Sequence, residues 1–184
     1  MHFLCSDCEQ VFSPWEGKFA ELLFLPLHRN ESDSFTYGTW GLKFASSVMW
    51  KVLVESLERG RGRLTPDQAR LAGVAAQTWR AFLLGKVRYP GRFEVHAIPL
   101  DVVPPNVGPD VSPFLSRFLL RSADAEVIAG DKEVLVYAKL CRILLVGHVV
   151  VDAQARWRAS RLSVTQGVLS ATATITSRLA FSSI

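Results

Sequence analysis

The sequence predicts an α+β fold: a helical region over residues 1–85 led by a Cys-x-x-Cys turn, then a mostly antiparallel β-sheet over residues 86–184, the two packed as one unit. Three observations carry this prediction. Helix-start and helix-stop signals recur through the first 85 residues, with apolar residues at helical spacing between them. Beyond residue 92 the apolar residues become β-branched and aromatic, in short runs separated by Gly and Asp. The two kinds of segment are segregated along the chain, which favours an antiparallel sheet beside helices over a parallel βαβ arrangement. A chain of 184 residues, 49% hydrophobic and 21% charged, is long enough for one generous core. No internal repeat or low-complexity linker divides it, so any boundary falls near residues 85–92.

The elements follow from local signals. Ser6-Asp7-Cys8-Glu9 has the pattern of a capping box and starts a helix whose first turn holds the cysteines. Ser13-Pro14-Trp15-Glu16 repeats the signal, and Trp15, Phe19, Leu22 and Leu23 then share one face until Pro26 stops the helix. A polar loop, residues 28–34, leads to the long segment 37–63. There Lys43, Ser47, Lys51 and Glu55 form a narrow solvated stripe on an otherwise apolar central helix. Gly60 and Gly62 end it, and Arg59, Arg61 and Arg63 suit its negative end. Thr65-Pro66-Asp67-Gln68 opens a third helix, with Ala72, Ala75, Ala76, Trp79, Phe82 and Leu83 inward and Gly85 as its stop. Up to this point the chain reads as all helix. Strand-like runs follow over Phe93–Ile98, then before Gly130, over Val134–Val151 as two strands meeting near Cys141 and Arg142, and from Gly167 onward.

Composition bounds the chemistry. The net charge of +4 permits nucleic-acid contact without requiring it. Three cysteines make no even disulfide framework, which points to a reducing, cytoplasmic setting. The longest apolar run, Ile143–Val151, is broken by Gly147 and His148 and is far short of the ~20 residues a spanning helix needs, so no membrane association is expected.

Cys5 and Cys8 are spaced as half a zinc site, and tetrahedral closure needs two further ligands. Zinc is therefore the one cofactor suggested, at an incomplete site, with two inert thiols on a terminal turn as the alternative. A redox role is disfavoured because no strand precedes the pair. Among the histidines, His2 and His28 read as terminal and loop residues, His148 as a core histidine, and His96 as a site candidate beside Glu94. No pair of them is spaced along the chain for a metal. Glu94, His96 and Asp101 near a strand end could do acid–base work, although three polar residues in such a place are common. Arg156, Trp157, Arg158 and Arg161 form the best basic and aromatic cluster. It could track phosphates and stack a base, or it could be an edge strand with Trp inward and charges in water.

The segments 3–28 and 37–53 resemble a family of uncharacterised bacterial proteins related to HNH-type, treble-clef zinc proteins. The matching residues are Leu4, Cys5, Cys8, Glu9, Phe12, Ser13 and Glu16, then Trp40 and Phe44, then Trp79, Arg80, Phe82 and Leu83. That family carries an earlier Cys-x-x-Cys and a Ser-His-x-x-Pro stretch, and neither precedes Leu4 here. In HNH nucleases the histidine would activate water against a metal-held phosphodiester. Glu9 stands where those nucleases place another histidine. The resemblance therefore implies a degenerate, non-catalytic zinc protein with Cys5 and Cys8 as its remaining ligands and a binding or structural role. Two alternatives stay open: an endonuclease whose catalytic half lies upstream or in another chain, and an interaction module with inert thiols. Either a second copy or a protein partner could complete the zinc site.

Overall fold

A computed structural model describes residues 6–60, 64–100, 123–151 and 154–170. The α+β expectation holds: helices dominate the first half and an antiparallel four-stranded sheet follows.

The N-terminal helix α1 spans Ser6–Phe19 without a restart, and Pro14 lies inside it. It does not stop before Pro26 as the sequence suggests. A π-helical turn over Ala20–Phe24 intervenes, with the Leu25 N–H bonding back to the Ala20 carbonyl, and α2 continues over Leu25–His28. The wider π turn relaxes the helix just ahead of the proline ring, which would otherwise meet the carbonyl four residues earlier.

Strand β1, Ser34–Tyr37, corrects the expectation of an all-helical first half. It pairs antiparallel with β6, Gly167–Ser170, in a small second sheet. Tyr37 is buried here, Gly41 and Gly167 leave no room for a side chain beside its ring, and its hydroxyl accepts from Ser163 N at 2.9 Å.

Central helix α3, Thr39–Glu58, is more buried than its pattern implies. Ser47 is fully enclosed and bonds the Phe44 carbonyl, Lys43 donates to the Phe82 and Leu83 carbonyls, and Lys51 pairs with Glu16. Over Lys43, Ser47 and Lys51 the predicted solvated stripe is thus the seam against neighbouring helices, while Glu55 stays at the surface and pairs with Arg59 at 3.0 Å. Helix α4, Pro66–Leu83, starts with a complete capping box: Gln68 N bonds Thr65 Oγ1 at 3.3 Å and Thr65 N bonds Gln68 Oε1 at 2.9 Å. Gly85, at φ +71°, supplies the left-handed stop.

The main sheet contains β2 (Val95–Pro99), β3 (Ala123–Ala129), β4 (Val134–Leu140) and β5 (Ile143–Val150), in the order β2-β5-β4-β3. The β4–β5 corner falls at Cys141 and Arg142 as expected, with Cys141 at φ +52°. Arg142 reaches across to the helices, donating to Leu27 O at 2.7 Å and Asn30 Oδ1 at 2.6 Å. One face of the sheet meets α3 and α4. On it Val95, Ala97, Val136 and Leu145 join Met49, Leu53 and Trp79 in a single core that draws on both halves of the chain. Trp79 is fully buried and its Nε1 donates to Phe93 O at 2.9 Å. The opposite face carries the site.

Candidate metal centre

Strand pairing assembles what spacing along the chain does not. In β2 and β5, Val95 stands opposite Gly147 and His96 opposite Val146. The ladder extends one step, because His148 N donates to Glu94 O at 2.9 Å. Side chains alternate along a strand, so Val95 and Gly147 face the helices while Glu94, His96 and His148 share the other face. His96 and His148 are diagonal neighbours, within reach of each other across the pair. Their ring centroids lie 4.2 Å apart. One ligand atom from each of Glu94, His96 and His148 lies within 4.8 Å of the others. Strand pairing thus brings together two histidines that are not spaced for a metal along the chain.

The site is mostly enclosed. His96 and His148 are 0% and 1% exposed, and the Glu94 side chain 11%. A 3-10 helix over Gln154–Ser160 lies over it, and the half-buried Trp157 ring sits 5.6 Å from His96 and 5.1 Å from His148. Burial drives the His96 imidazole down to a pKa of about 3, with help from neighbouring His148, and the His148 imidazole to about 4. The nearby Glu94 carboxylate works in the opposite direction on His148. Both rings are therefore neutral at pH 7, the form that binds metals.

The hydrogen bonds fix the tautomer of His96. The Ser160 hydroxyl donates to Trp157 O at 3.0 Å, so toward His96 Nδ1, 3.2 Å away, its oxygen acts as acceptor. His96 Nδ1 therefore carries the proton and Nε2 presents a lone pair. That lone pair faces Glu94 Oε2 at 3.7 Å, two acceptors turned toward each other. The other carboxylate oxygen, Oε1, is held by Arg161 at 2.8 Å. His96 Nε2 and both ring nitrogens of His148 are buried without a hydrogen-bond partner among the described residues. Buried polar atoms left this way cost about 1–3 kcal/mol each, and a cation among them would use the same lone pairs.

The donor set fits a transition ion of the zinc class. Two imidazoles and a carboxylate are borderline nitrogen and oxygen ligands, unlike the all-oxygen shells of magnesium and calcium. Ligands about 2.0–2.1 Å from zinc at tetrahedral angles stand roughly 3.3–3.4 Å apart. The 3.7 Å contact is already near that spacing, and ligand atoms that stand within 4.8 Å of one another must draw closer to share one ion.

The other sequence candidates are placed as follows. Cys5 and Asp101 lie outside the described residues, as does the side chain of Cys8, whose backbone is in the first turn of α1. The segment 156–158 is helical rather than an edge strand. Trp157 is committed to the two histidines and Arg161 to Glu94, Arg158 is exposed, and the side chain of Arg156 lies outside the described residues. Arg161 still makes one strand-like contact, a backbone bridge to His96. Trp40, Phe44, Trp79, Phe82 and Leu83, which carry part of the HNH-related resemblance, are built into or against the core, Phe44 stacking on Phe19 at 3.9 Å. Comparison with protein families, with curated proteins and with solved structures gives no match. No helix among the described residues is long and apolar enough to cross a membrane.

Proposed function

We propose that this protein binds a zinc-class metal ion through Glu94, His96 and His148, in a non-catalytic binding or structural role. The observation that carries the reading is the set of inward lone pairs: His96 Nε2 and the unbonded His148 ring lie with Glu94 Oε2 in one enclosed cluster. Ser160 and Arg161 provide the outer hydrogen bonds that orient metal ligands. The cover of Trp157 favours a retained ion over an open catalytic one. A distant, degenerate relation to HNH-type zinc proteins is compatible with this role and rests on the motif at Leu4–Glu16. In that relation Cys5 and Cys8 would hold a second, separate half-site.

Purification without chelator followed by elemental analysis tests the proposal. About one zinc-class ion per chain is expected, lost in His96→Gln and His148→Gln and kept in Cys5→Ser. Metal retained in the double histidine variant, or lost in Cys5→Ser alone, would move the site to the cysteines. Failure of metal-free protein to take up zinc or cobalt would overturn the reading.

A further inference from the structure

The three candidate ligands stand on β5, on β2 and on the residue just before β2, but the groups that brace them come from one short segment. Trp157 packs on both imidazoles, Ser160 Oγ accepts from His96 Nδ1, and Arg161 holds Glu94 Oε1. Five consecutive residues thus touch every ligand. On its C-terminal side the segment is anchored: Arg161 bridges His96 through the backbone, Leu162 N donates to Val95 O at 2.9 Å, and Leu162 is buried in the core. On its N-terminal side it is a 3-10 helix, whose poorer hydrogen-bond geometry holds little by itself, and Arg158 and Ala159 face solvent.

We propose that residues 157–161 form a clasp whose closure and metal binding are one coupled equilibrium. The inference rests on the metal-site reading above and adds how the ion is admitted and retained. With the clasp closed, Ser160 fixes the Nδ1–H tautomer that leaves His96 Nε2 free to coordinate, and Arg161 aims the carboxylate. An ion on Nε2 in turn polarises the Nδ1–H, strengthening its bond to Ser160, and fixes the two rings against which Trp157 packs. Each event favours the other by the same factor.

Two independent readouts on the full chain separate the clasp from the site. Visible absorption of bound cobalt reports coordination, and trypsin cleavage after Arg158 reports opening, with cleavage after the exposed Arg59 as a control in the same digest. Saturating zinc should slow cleavage at Arg158 by about tenfold or more while leaving Arg59 unchanged. Ser160→Ala and Arg161→Gln, which leave the core intact, should each weaken cobalt binding by about 10–100-fold and abolish the protection. Cobalt bound with an unchanged rate at Arg158 would overturn the clasp and leave the metal site standing. Absence of cobalt absorption would remove the metal site, and the clasp with it.

Discussion

Acidification of the metal-free protein tests the electrostatic description of the site most directly. His96 and His148 have ordinary pKa values near 6.5 in the unfolded chain and about 3 and 4 in the folded protein. A depressed histidine means that, below pH 6.5, the unfolded state takes up protons the folded state refuses. Stability from these residues is therefore complete above about pH 7, falls as pH drops, and levels off only when the buried rings protonate near pH 4 and 3. The limiting slope is about 1.4 kcal/mol per pH unit for each ring, so moving from pH 7 to 5 costs about 2 kcal/mol per histidine and about 4 for the pair. That is a large share of the roughly 5–15 kcal/mol that holds a domain together. The charged groups facing the pair are Glu94, just before β2, and Arg161, and their salt bridge leaves much of the carboxylate's attraction spent on the guanidinium. Urea unfolding in chelator at half-unit pH steps measures the effect. His96→Gln with His148→Gln should flatten the curve whatever its absolute stability. A wild-type midpoint equal at pH 7 and pH 5 would refute the assignment of both rings as neutral, buried and unprotonated.

Other expected outcomes follow from single contacts. Free zinc at 100 times its dissociation constant should add about 2.7 kcal/mol to stability at pH 7, reversed by chelator and missing in the double histidine variant, as read by thermal melting. Gly147→Ala would place a methyl 2.8 Å from the Trp79 ring and 3.0 Å from Met49 Cγ, so urea unfolding should show a loss of about 1–3 kcal/mol. Gly73→Ala, with nothing within 4 Å in the middle of α4, should instead gain up to about 1 kcal/mol. Thr65→Ala removes half of the capping box and should cost about 1 kcal/mol in the same assay. The metal-loaded protein should leave plasmid DNA intact on a gel, since the role proposed is not catalytic; metal-dependent nicking that disappears with His148→Gln would overturn it.

Local chemistry made most of the fold legible. The Thr65 box and the Gly85 stop are each set by residues next to one another, and they stand where the sequence puts them, as does the β4–β5 corner, which no Asn-Gly or Asp-Gly turn marks. Pro26 and β1 were hidden for opposite reasons. A π turn is not encoded by any single residue before a proline, so the continuation of the helix could not be seen. Phe35 and Tyr37 do alternate with polar neighbours, a strand signal, but only four residues long and with a partner at residues 167–170. The Lys43–Glu55 stripe shows a different limit. Its periodicity identifies one helix face correctly, but charged residues at regular spacing do not say whether water or a neighbouring helix lies opposite.

The site was the least legible part because half of its information is in the strand register. Glu94 and His96 announce a shared face by alternation, and His148 lies 52 positions beyond His96 in a run that reads as plain core. Only the pairing of β2 with β5 brings them together. A one-residue slip of that pairing would turn His148 toward the helices and Gly147 toward Glu94. Gly147 is what prevents the slip: the helix-facing position opposite Val95 must accept the edge of Trp79 and Met49, which even an alanine cannot do without displacement. The glycine and histidine that interrupt the apolar run Ile143–Val151 therefore act as a pair. One sets the register from the core side, and the other, by the same register, is delivered to Glu94 and His96.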